Sequence, residues 1–440
     1  MWPILLLACA PQADLRCTAE LDSDVPTLLS ISWAADGDSH VEFGVDEALG
    51  NRSPVSTGAE HRVPLYGMPA DSTVYWRAVT EGVGECSGQT RTGSVPDETP
   101  SVTISIDTDG RSSARWIAGN LFRFIADEPR LAAFDRQTGQ WVWAIVGNEG
   151  QISSDMQFAA GSNDVIFNQF DAAFAQDTGN LRRITLAGDT VWEWPTPLAH
   201  HMFAQLPDGK IAFQSLDVRP WTPPEGGEEL QLIGDRVMEL DPSDGATAEI
   251  FNAWDWLPVE ENRHWEDLSL YPFGVDWTHG NALKYTAARD ELLLSLGHAD
   301  VLIEFGRQDG QAHQMYGLEG IPVAEGDLHF DYQHDPGWTQ DGTLLMFSTD
   351  ITTEASGAIE YELREGELHQ VWAHDLPGGQ ERAIALGQAQ RLDNGNTFIT
   401  YGTAGVLREV DPQGQVVWEA LADPGHAFAQ VRLVEDWYAP

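Results

Sequence analysis

Most of the chain consists of short segments in which apolar and polar residues alternate, separated by turns that contain glycine, aspartate, asparagine or proline. Alternation with a period of two is typical of β-strands that bury one face, whereas in amphipathic helices the apolar residues recur about every 3.6 residues. The helical period is nearly absent from the larger, C-terminal part of the chain. We therefore predict an all-β protein.

The first hundred residues contain a group of strand-like segments of their own. Residues 13–95 predict a small β-sandwich, and the run LYGMPADSTVYWRAV, whose strand bears Tyr75 and Arg77, resembles the fibronectin type III pattern. The following PDETP combines two prolines with acidic residues, which disfavours a central strand. We expect a linker over residues 96–110.

Beyond the linker, one pattern recurs: a strand, a turn with glycine, and a closing strand that often carries tryptophan. Segments at spacings of about 45 to 65 residues predict four-stranded blades of a β-propeller with loop insertions. Six copies indicate a six-bladed β-propeller over residues 111–440, and they read LAAFDRQTGQWVWAI, LRRITLAGDTVWEW, RVMELDPSDGATAEIF, DVLIEFGRQDGQAHQMY, AIEYELREGELHQVW and LREVDPQGQVVWEAL.

The end of the chain predicts how the propeller closes. HAFAQVRLVED, which starts at His426, echoes HMFAQLPDG, which starts at His201. We expect this last segment to be the inner strand of the first blade, with residues from about 113 to 147 as its outer strands.

Histidines precede several of the predicted inner strands. His201 and His334 each stand seven residues before an Asp-Gly turn, and His279 lies in a similar context. Equivalent positions of a circular array meet at its axis. We expect His201, His279, His334 and His426 at one mouth of the channel, with Asn281 on the same strand face as His279.

These histidines leave a structural and a chemical interpretation open. A single histidine is more often a satisfied polar residue than a catalyst, but recurrence at one repeat position favours a site in which imidazole acts as nucleophile or proton carrier. The sequence lacks local HxH, HExxH or CxxC spacing around them. We therefore predict no metal site and no cofactor.

Charge and cysteines limit the partners and the compartment. With 24 basic against 69 acidic residues, the net charge of −45 excludes nucleic acid and an anionic membrane surface as partners. Leu6–Cys9 resembles a bacterial lipobox in which Cys9 is lipidated; an ordinary secretory signal is the alternative for residues 1–12. Export to the bacterial periplasm or cell surface favours a disulfide between Cys17 and Cys86.

An ordered set of motifs resembles one known family. DWTHGNAL, LLLSLGH, GLEG, FDYQHDPGWTQDGTLLMF and ALGQAQRLDNGNTFITYG are similar, in this order, to segments of the bacterial arylsulfotransferase-like family. The resemblance covers about 150 to 440 and implies a six-bladed propeller behind a small β-domain. It also implies transfer of a sulfuryl group from a small aromatic sulfate ester to a phenol acceptor, without a nucleotide sulfate donor (PAPS-independent) and through a histidine-bound intermediate.

The resemblance assigns roles to particular residues. His334, in the QHD motif, is expected to be the nucleophile, His279 and Asn281 to hold sulfate oxygens, and His201 or His200 to assist. Two positions depart from the family pattern: Gly297 stands where an anion-binding arginine is expected, and Met202 where aspartate is usual.

The missing guanidinium leaves two further expectations. The candidate replacements are His298, Arg382 and Arg432, of which Arg382 is favoured because it precedes an inner strand. The alternative is a non-catalytic exported propeller that binds a small ligand or a partner protein.

Overall fold

The computed structural model describes residues 13–97, 99–123, 126–147, 150–171, 179–224, 226–259, 271–318, 320–350, 352–353, 355–379 and 381–439. Strands dominate these ranges, and their only helices are three 3₁₀ turns at Ala253–Asp255, Gly297–Ala299 and Gly402–Ala404. None of the helices in the described ranges has the length and apolar character that crossing a bilayer requires.

The N-terminal part is a β-sandwich of two sheets around one apolar core. Leu29, Ile31 and Val63 of the smaller sheet pack against Phe43 and Val74 of the larger, and the Cys17–Cys86 disulfide joins the two sheets. In spatial order the sheets are Ala13–Asp14, Gly84–Arg91, Thr73–Thr80, Ser39–Gly44 and Asn51–Arg52, and Cys17–Leu21, Leu29–Ala34 and Glu60–Leu65.

The remaining described strands form six sheets, numbered here in the order in which their blades follow along the chain. The main strands of each sheet pair with one another in antiparallel order, which is the arrangement of a propeller blade. Sheet 1 is His426–Val434, Trp116–Arg123, Ala126–Asp135 and Trp141–Val146; sheet 2 is Gln151–Ile152, Met156–Phe158, Val165–Asp171, Asn180–Ile184 and Thr190–Pro195; sheet 3 is Ala199–Gln205, Ile211–Trp221, Leu230–Leu240 and Thr247–Asn252, with Val275–Asp276 added in parallel.

Sheets 4 to 6 repeat the arrangement. Sheet 4 is Gly280–Thr286, Glu291–Leu296, Val301–Gly306 and Ala312–Gly317; sheet 5 is His334–Trp338, Leu344–Thr349, Ser356–Arg364 and Glu367–Asp375; sheet 6 is Gly387–Arg391, Thr397–Tyr401, Val406–Val410 and Val416–Ala422, with Val102–Asp107 as an added outer strand.

Contacts between neighbouring sheets close the ring. The first strands of sheets 3, 4, 5 and 6 contact one another in turn, that of sheet 6 contacts His426–Val434, and sheet 2 contacts both of its neighbours. Apolar side chains fill the spaces between sheets: Trp143 donates across to the carbonyl of Leu186, and Trp418 to that of Arg136. The predicted all-β propeller behind a β-sandwich is confirmed.

The closing strand lies where the sequence places it. His426–Val434 pairs with Trp116–Arg123, so the chain end supplies the inner strand of sheet 1. A buried ion pair joins sheets 1 and 6 where the ring closes, and we call this contact the seam. Arg136 Nη2 lies 2.6 Å from Glu409 Oε2, and both side chains are fully buried. The sandwich rests on the same sheet, where Val25 and Leu28 pack with Trp116.

Two sequence expectations differ from the structure or lie outside it. Within the expected linker 96–110, Val102–Asp107 is a strand that pairs with Val416–Ala422, because its alternating VTISID pattern matches a sheet edge once the prolines are passed. The signal segment 1–12, with Cys9, lies outside the described residues. The fibronectin type III resemblance stays a prediction.

Candidate active site

Irregularities at the start of three inner strands aim side chains at the axis. The pairing register shifts between Ala199 and Phe203 in sheet 3, between Gly280 and Ala282 in sheet 4, and between His334 and Gly337 in sheet 5. Such β-bulges turn a side chain out of the sheet.

Three of the residues at these bulges have an unusual backbone conformation. His201 has a φ of 49°, His279 a φ of 48° and Asp335, which follows His334, a φ of 50°. For a non-glycine residue this left-handed conformation costs about 1–3 kcal/mol and is retained mainly at functional sites. The strain therefore marks all three positions as candidate functional residues.

Four histidines at these strand starts lie together with His298 of the 3₁₀ turn Gly297–Ala299. We call His200, His201, His279, His298 and His334 the imidazole cluster. The ring centroids of His201 and His279 are 4.9 Å apart, and His298 stacks on His279 at 4.6 Å. Tyr332 contacts both His279 and His334, at 5.6 and 5.3 Å. All five imidazoles are buried, with His201 the most exposed at 9%.

His334 is held in one tautomer. Its Nδ1 lies 3.1 Å from the carbonyl oxygen of Tyr332, which can only accept, so the proton is on Nδ1 and the lone pair is on Nε2. Burial, and then the neighbouring imidazole of His279, lowers the pKa of His334 to about 3. The ring is therefore a neutral imidazole with an available nitrogen at ordinary pH.

His279 pairs with a buried aspartate. Its Nδ1 lies 2.6 Å from Asp276 Oδ2. Burial, with the charge of Asp235 adding, raises the pKa of Asp276 to about 7, and burial lowers the pKa of His279 to about 4. Below pH of about 7 the shared proton thus belongs to the carboxyl group, which donates to Nδ1 and leaves an Nε2–H on His279 as a neutral donor.

A second buried aspartate supports the other pair of imidazoles. Asp235 Oδ1 lies 3.0 Å from His200 Nε2, and His200 Nδ1 lies 2.8 Å from His201 Nδ1. Burial raises the pKa of Asp235, but the nearby imidazole of His200, with donors from Thr278 and the Gly280 N–H, outweighs it and brings the pKa below its ordinary value. Burial, and then its imidazole neighbours, hold the pKa of His201 well below the ordinary value.

The environment of Gly297 differs from what an arginine there requires. A Cβ at this position would lie 2.6 Å from Asn281 Nδ2, which itself donates to the Gln333 carbonyl at 2.7 Å. The side chain of Asn281 therefore occupies the space next to Gly297. His298, next in the chain, directs Nδ1 to the carbonyl oxygen of Asp276 at 2.7 Å.

Three of the sequence candidates lie outside the cluster. Arg382 is exposed, and Arg432 pairs with Asp155 at 2.7 Å. His426 is half-buried and contacts the Asp423 carbonyl through Nδ1 at 3.2 Å. His426 does not take the place expected from its echo of His201, and the bulge of its strand falls further along, between Phe428 and Val431.

Sequence reasoning missed the two aspartates and Tyr332. Asp276 stands in the DWTHGN motif, three residues before His279, so its proximity was a usable signal. Asp235 is an acidic residue inside the long strand Leu230–Leu240, and a buried carboxylate in a strand interior requires partners. Its partner His200 is 35 residues away, on another strand of the same sheet.

One group in the cluster has the composition of a metal site. The ligand atoms of Asp276, His279 and His298 lie within 4.8 Å of one another. Two of these residues already direct Nδ1 to Asp276, one to its carboxyl group and one to its carbonyl. The group is thus a hydrogen-bonded triad, and we assign no metal to it.

A cavity of about 510 Å³ lies between the inner strands, and its lining residues include none of the five imidazoles. Met202 and Asp335, which directly follow His201 and His334, lie in its wall together with Phe203. Lys284 Nζ lies 2.9 Å from Asp335 Oδ1 and so anchors the bulge that carries His334. The volume is in the range of small-molecule pockets.

Several solved structures have a similar chain trace. They include a protein of unknown function from Bacteroides caccae (14% identity, TM-score 0.47, covering 73% of this chain and 100% of that one) and a periplasmic gluconolactonase from Pseudomonas aeruginosa (13%, 0.43, 72% and 98%). A third is a catalytically inactive virginiamycin B lyase from Staphylococcus aureus (11%, 0.40, 72% and 86%). At these scores the likeness carries no functional information.

No curated protein matches this chain. The model of the arylsulfotransferase (ASST) family matches residues 101–424, which include the whole imidazole cluster and every described strand of the ring except the closing strand His426–Val434. The chain belongs to the arylsulfotransferase family.

Proposed function

We propose that this protein is a PAPS-independent arylsulfate sulfotransferase that works by a ping-pong route through sulfated His334. The donor is a phenolic sulfate ester and the acceptor is a phenol. In the first half-reaction Nε2 of His334 attacks sulfur, the N–S bond forms and the S–O bond to the phenol breaks. In the second half-reaction the acceptor oxygen attacks the same sulfur and releases His334.

The state of His334 is the observation that carries this proposal. An imidazole attacks only through an unprotonated nitrogen, and the contact with the Tyr332 carbonyl places the lone pair on Nε2. Its lowered pKa keeps that lone pair available across ordinary pH.

Neighbouring groups are suited to the charge on the sulfuryl oxygens. His279 offers Nε2–H when Asp276 holds the shared proton, so the aspartate next to the anion is neutral. Asn281 lies on the same strand start, where one N–H of its amide donates to the Gln333 carbonyl and the second is the one we assign to a sulfuryl oxygen. Preorganised donors of this kind stabilise the transition state because they need no reorganisation.

The cellular setting belongs to the same proposal. The disulfide between Cys17 and Cys86 is a bond that persists in oxidising compartments. We place the enzyme in the periplasm or at the cell surface, held to the membrane through lipidated Cys9.

The test is acceptor-dependent release of 4-nitrophenol from 4-nitrophenyl sulfate in the presence of phenol. We expect turnover by wild type, none by His334→Ala, and normal turnover by His374→Gln, which changes a histidine that stacks on Trp372 in an outer strand of sheet 5. Absence of turnover by folded wild type, or undiminished turnover by His334→Ala, would refute the proposal.

A further inference from the structure

We infer that Asp235, His200 and His201 form a proton relay. In the first half-reaction the relay gives a proton to the leaving phenol, and in the second it takes a proton from the acceptor phenol. This inference rests on the proposed function, since it assigns the acid–base chemistry of the same reaction. The role makes Asp235 and His200 positioning and proton-storing residues behind His201, which alone of the three faces the reacting oxygen.

The contacts of Asp235 fix the start of the relay. Its Oδ2 accepts from Thr278 Oγ1 at 2.5 Å and from the Gly280 N–H at 2.6 Å. Its Oδ1 has no hydrogen bond with good geometry within the described part of the chain, and His200 Nε2 lies 3.0 Å from it. The carboxylate is therefore held by two donors and turned toward His200.

The absence of a side chain at Gly280 is a second feature that fixes the position of the Asp235 carboxylate. A Cβ at position 280 would lie 2.5 Å from Asp235 Oδ1. Only glycine leaves room for the carboxylate at the point where its amide also donates to it. Both the hydrogen bond and the missing side chain thus serve to place Asp235.

The contact between His200 and His201 allows only two proton arrangements. Their Nδ1 atoms are 2.8 Å apart, so one of them donates and the other accepts. When His200 carries protons on both nitrogens, it donates to Asp235 and to His201 Nδ1, and the proton of neutral His201 is on Nε2. When His200 has lost one proton, His201 carries its proton on Nδ1 and a lone pair on Nε2.

These two arrangements match the needs of the two half-reactions. In the first, His201 Nε2–H protonates the phenolate oxygen as the S–O bond breaks, and the proton between the imidazoles moves from His200 to His201. In the second, the acceptor O–H gives its proton to His201 Nε2, the proton between the imidazoles returns to His200, and the new S–O bond forms as the bond to His334 breaks. The enzyme ends as it began, and no other proton donor is consumed.

His201 is placed to make this exchange. Its ring is 4.9 Å from that of His279, the proposed holder of a sulfuryl oxygen. It also interacts electrostatically with His334. Throughout the cycle His201 stays neutral, which agrees with its burial among other imidazoles.

The dependence of the rate on the leaving group tests the relay. 4-Nitrophenolate is a weak base and leaves without a proton, whereas the unsubstituted phenolate of phenyl sulfate needs one. Since general acid catalysis contributes about 10²- to 10⁴-fold, we expect Asp235→Asn and His200→Gln to lower kcat/KM for phenyl sulfate by about 10²-fold or more. For 4-nitrophenyl sulfate the loss should be much smaller.

Controls separate the relay from a structural effect. Thr278→Val, which removes one donor to Asp235, should show the same leaving-group dependence in weaker form, and His374→Gln should show none. Equal losses with both donors in Asp235→Asn and His200→Gln would overturn the relay while leaving the sulfotransferase proposal standing. If wild type transfers sulfate from neither donor, the proposed function fails instead.

Discussion

The Nδ1 atom of His279 lies 2.6 Å from Oδ2 of Asp276, and both side chains are buried. The pKa of Asp276 is raised to about 7 by its burial and the charge of Asp235, and burial lowers that of His279 to about 4. The pair is thus neutral, with the proton on the carboxyl group. A carboxylate beside a sulfate ester would repel it, whereas this arrangement offers the ester a donor and no negative charge.

We predict that Asp276→Asn keeps most of the activity and Asp276→Ala does not. The amide NH₂ of asparagine can donate to His279 Nδ1 as the protonated carboxyl group does, whereas alanine leaves Nδ1 unpaired. The loss of a buried partner costs about 1–3 kcal/mol, which corresponds to about 5- to 150-fold in kcat/KM. If both variants lose activity equally, the negative charge of Asp276 is required and the neutral pair is wrong.

The same pair predicts the pH profile of kcat/KM for 4-nitrophenyl sulfate. His334 and His279 stay neutral far below the ordinary histidine pKa, so we expect a flat profile from about pH 7 down to about pH 5. Above pH of about 7, Asp276 ionises and His279 loses its Nε2–H, so the rate should fall.

Asp276→Asn is the matched control for this profile. Asparagine does not ionise, so the decrease on the alkaline side should disappear in the variant. An acid limb near the ordinary histidine pKa of about 6.5 would contradict the neutral state of His279 and His334. An unchanged alkaline limb in Asp276→Asn would assign that limb to another group.

Position 297 tests whether the site is adapted to the absence of arginine. Because a Cβ there meets Asn281 Nδ2 at 2.6 Å, any side chain displaces the amide from the Gln333 carbonyl. We predict that Gly297→Ala and Gly297→Arg both lower kcat/KM, by about tenfold or more. Alanine reports the steric effect alone, and an arginine variant more active than wild type would show a site that lacks only its cation.

The sequence predicted the parts of this structure that depend on repetition. Alternating strands, the closing strand at residue 426 and the convergence of His201, His279 and His334 all follow from periodicity or equivalent repeat positions, whereas the disulfide follows from the expected export. The exact aim of a side chain does not, because bulges shift the register by one residue or more. His426 is the example: its segment echoes that of His201, yet Gln430 occupies the bulge.

Contacts between distant segments could not be predicted from the sequence, for a different reason. Asp235 meets His200 across a sheet, and Asn281 fills the space beside Gly297 from a neighbouring strand. One amino-acid sequence does not show which buried acid pairs with which imidazole. Only the three-dimensional arrangement connects these residues.

We predict that a substitution at the seam of the ring lowers the stability of the protein strongly. Arg136 and Glu409 form a fully buried ion pair, and the guanidinium also lies 4.5 Å from the ring of Trp418. Removal of one partner of such a pair leaves a buried charge, so Arg136→Met should lower the free energy of unfolding by about 3–5 kcal/mol. Denaturant titration measures this.

The control is the exposed pair of Arg62 and Glu20 in the sandwich, whose side chains are each 62% exposed. Arg62→Met should leave the unfolding midpoint unchanged, since exposed ion pairs contribute little. Equal effects of the two substitutions would mean that burial at the seam adds nothing to its stability.

The most direct measurement of the central claim is the site of the sulfuryl group. Wild type is incubated with 4-nitrophenyl sulfate without acceptor, quenched in alkali and digested, and the peptides are analysed by mass spectrometry. We predict one SO₃ increment, located on His334, which disappears when phenol is added and is absent from His334→Gln. An increment on another residue, or rapid turnover with no increment at all, would contradict a covalent route through His334.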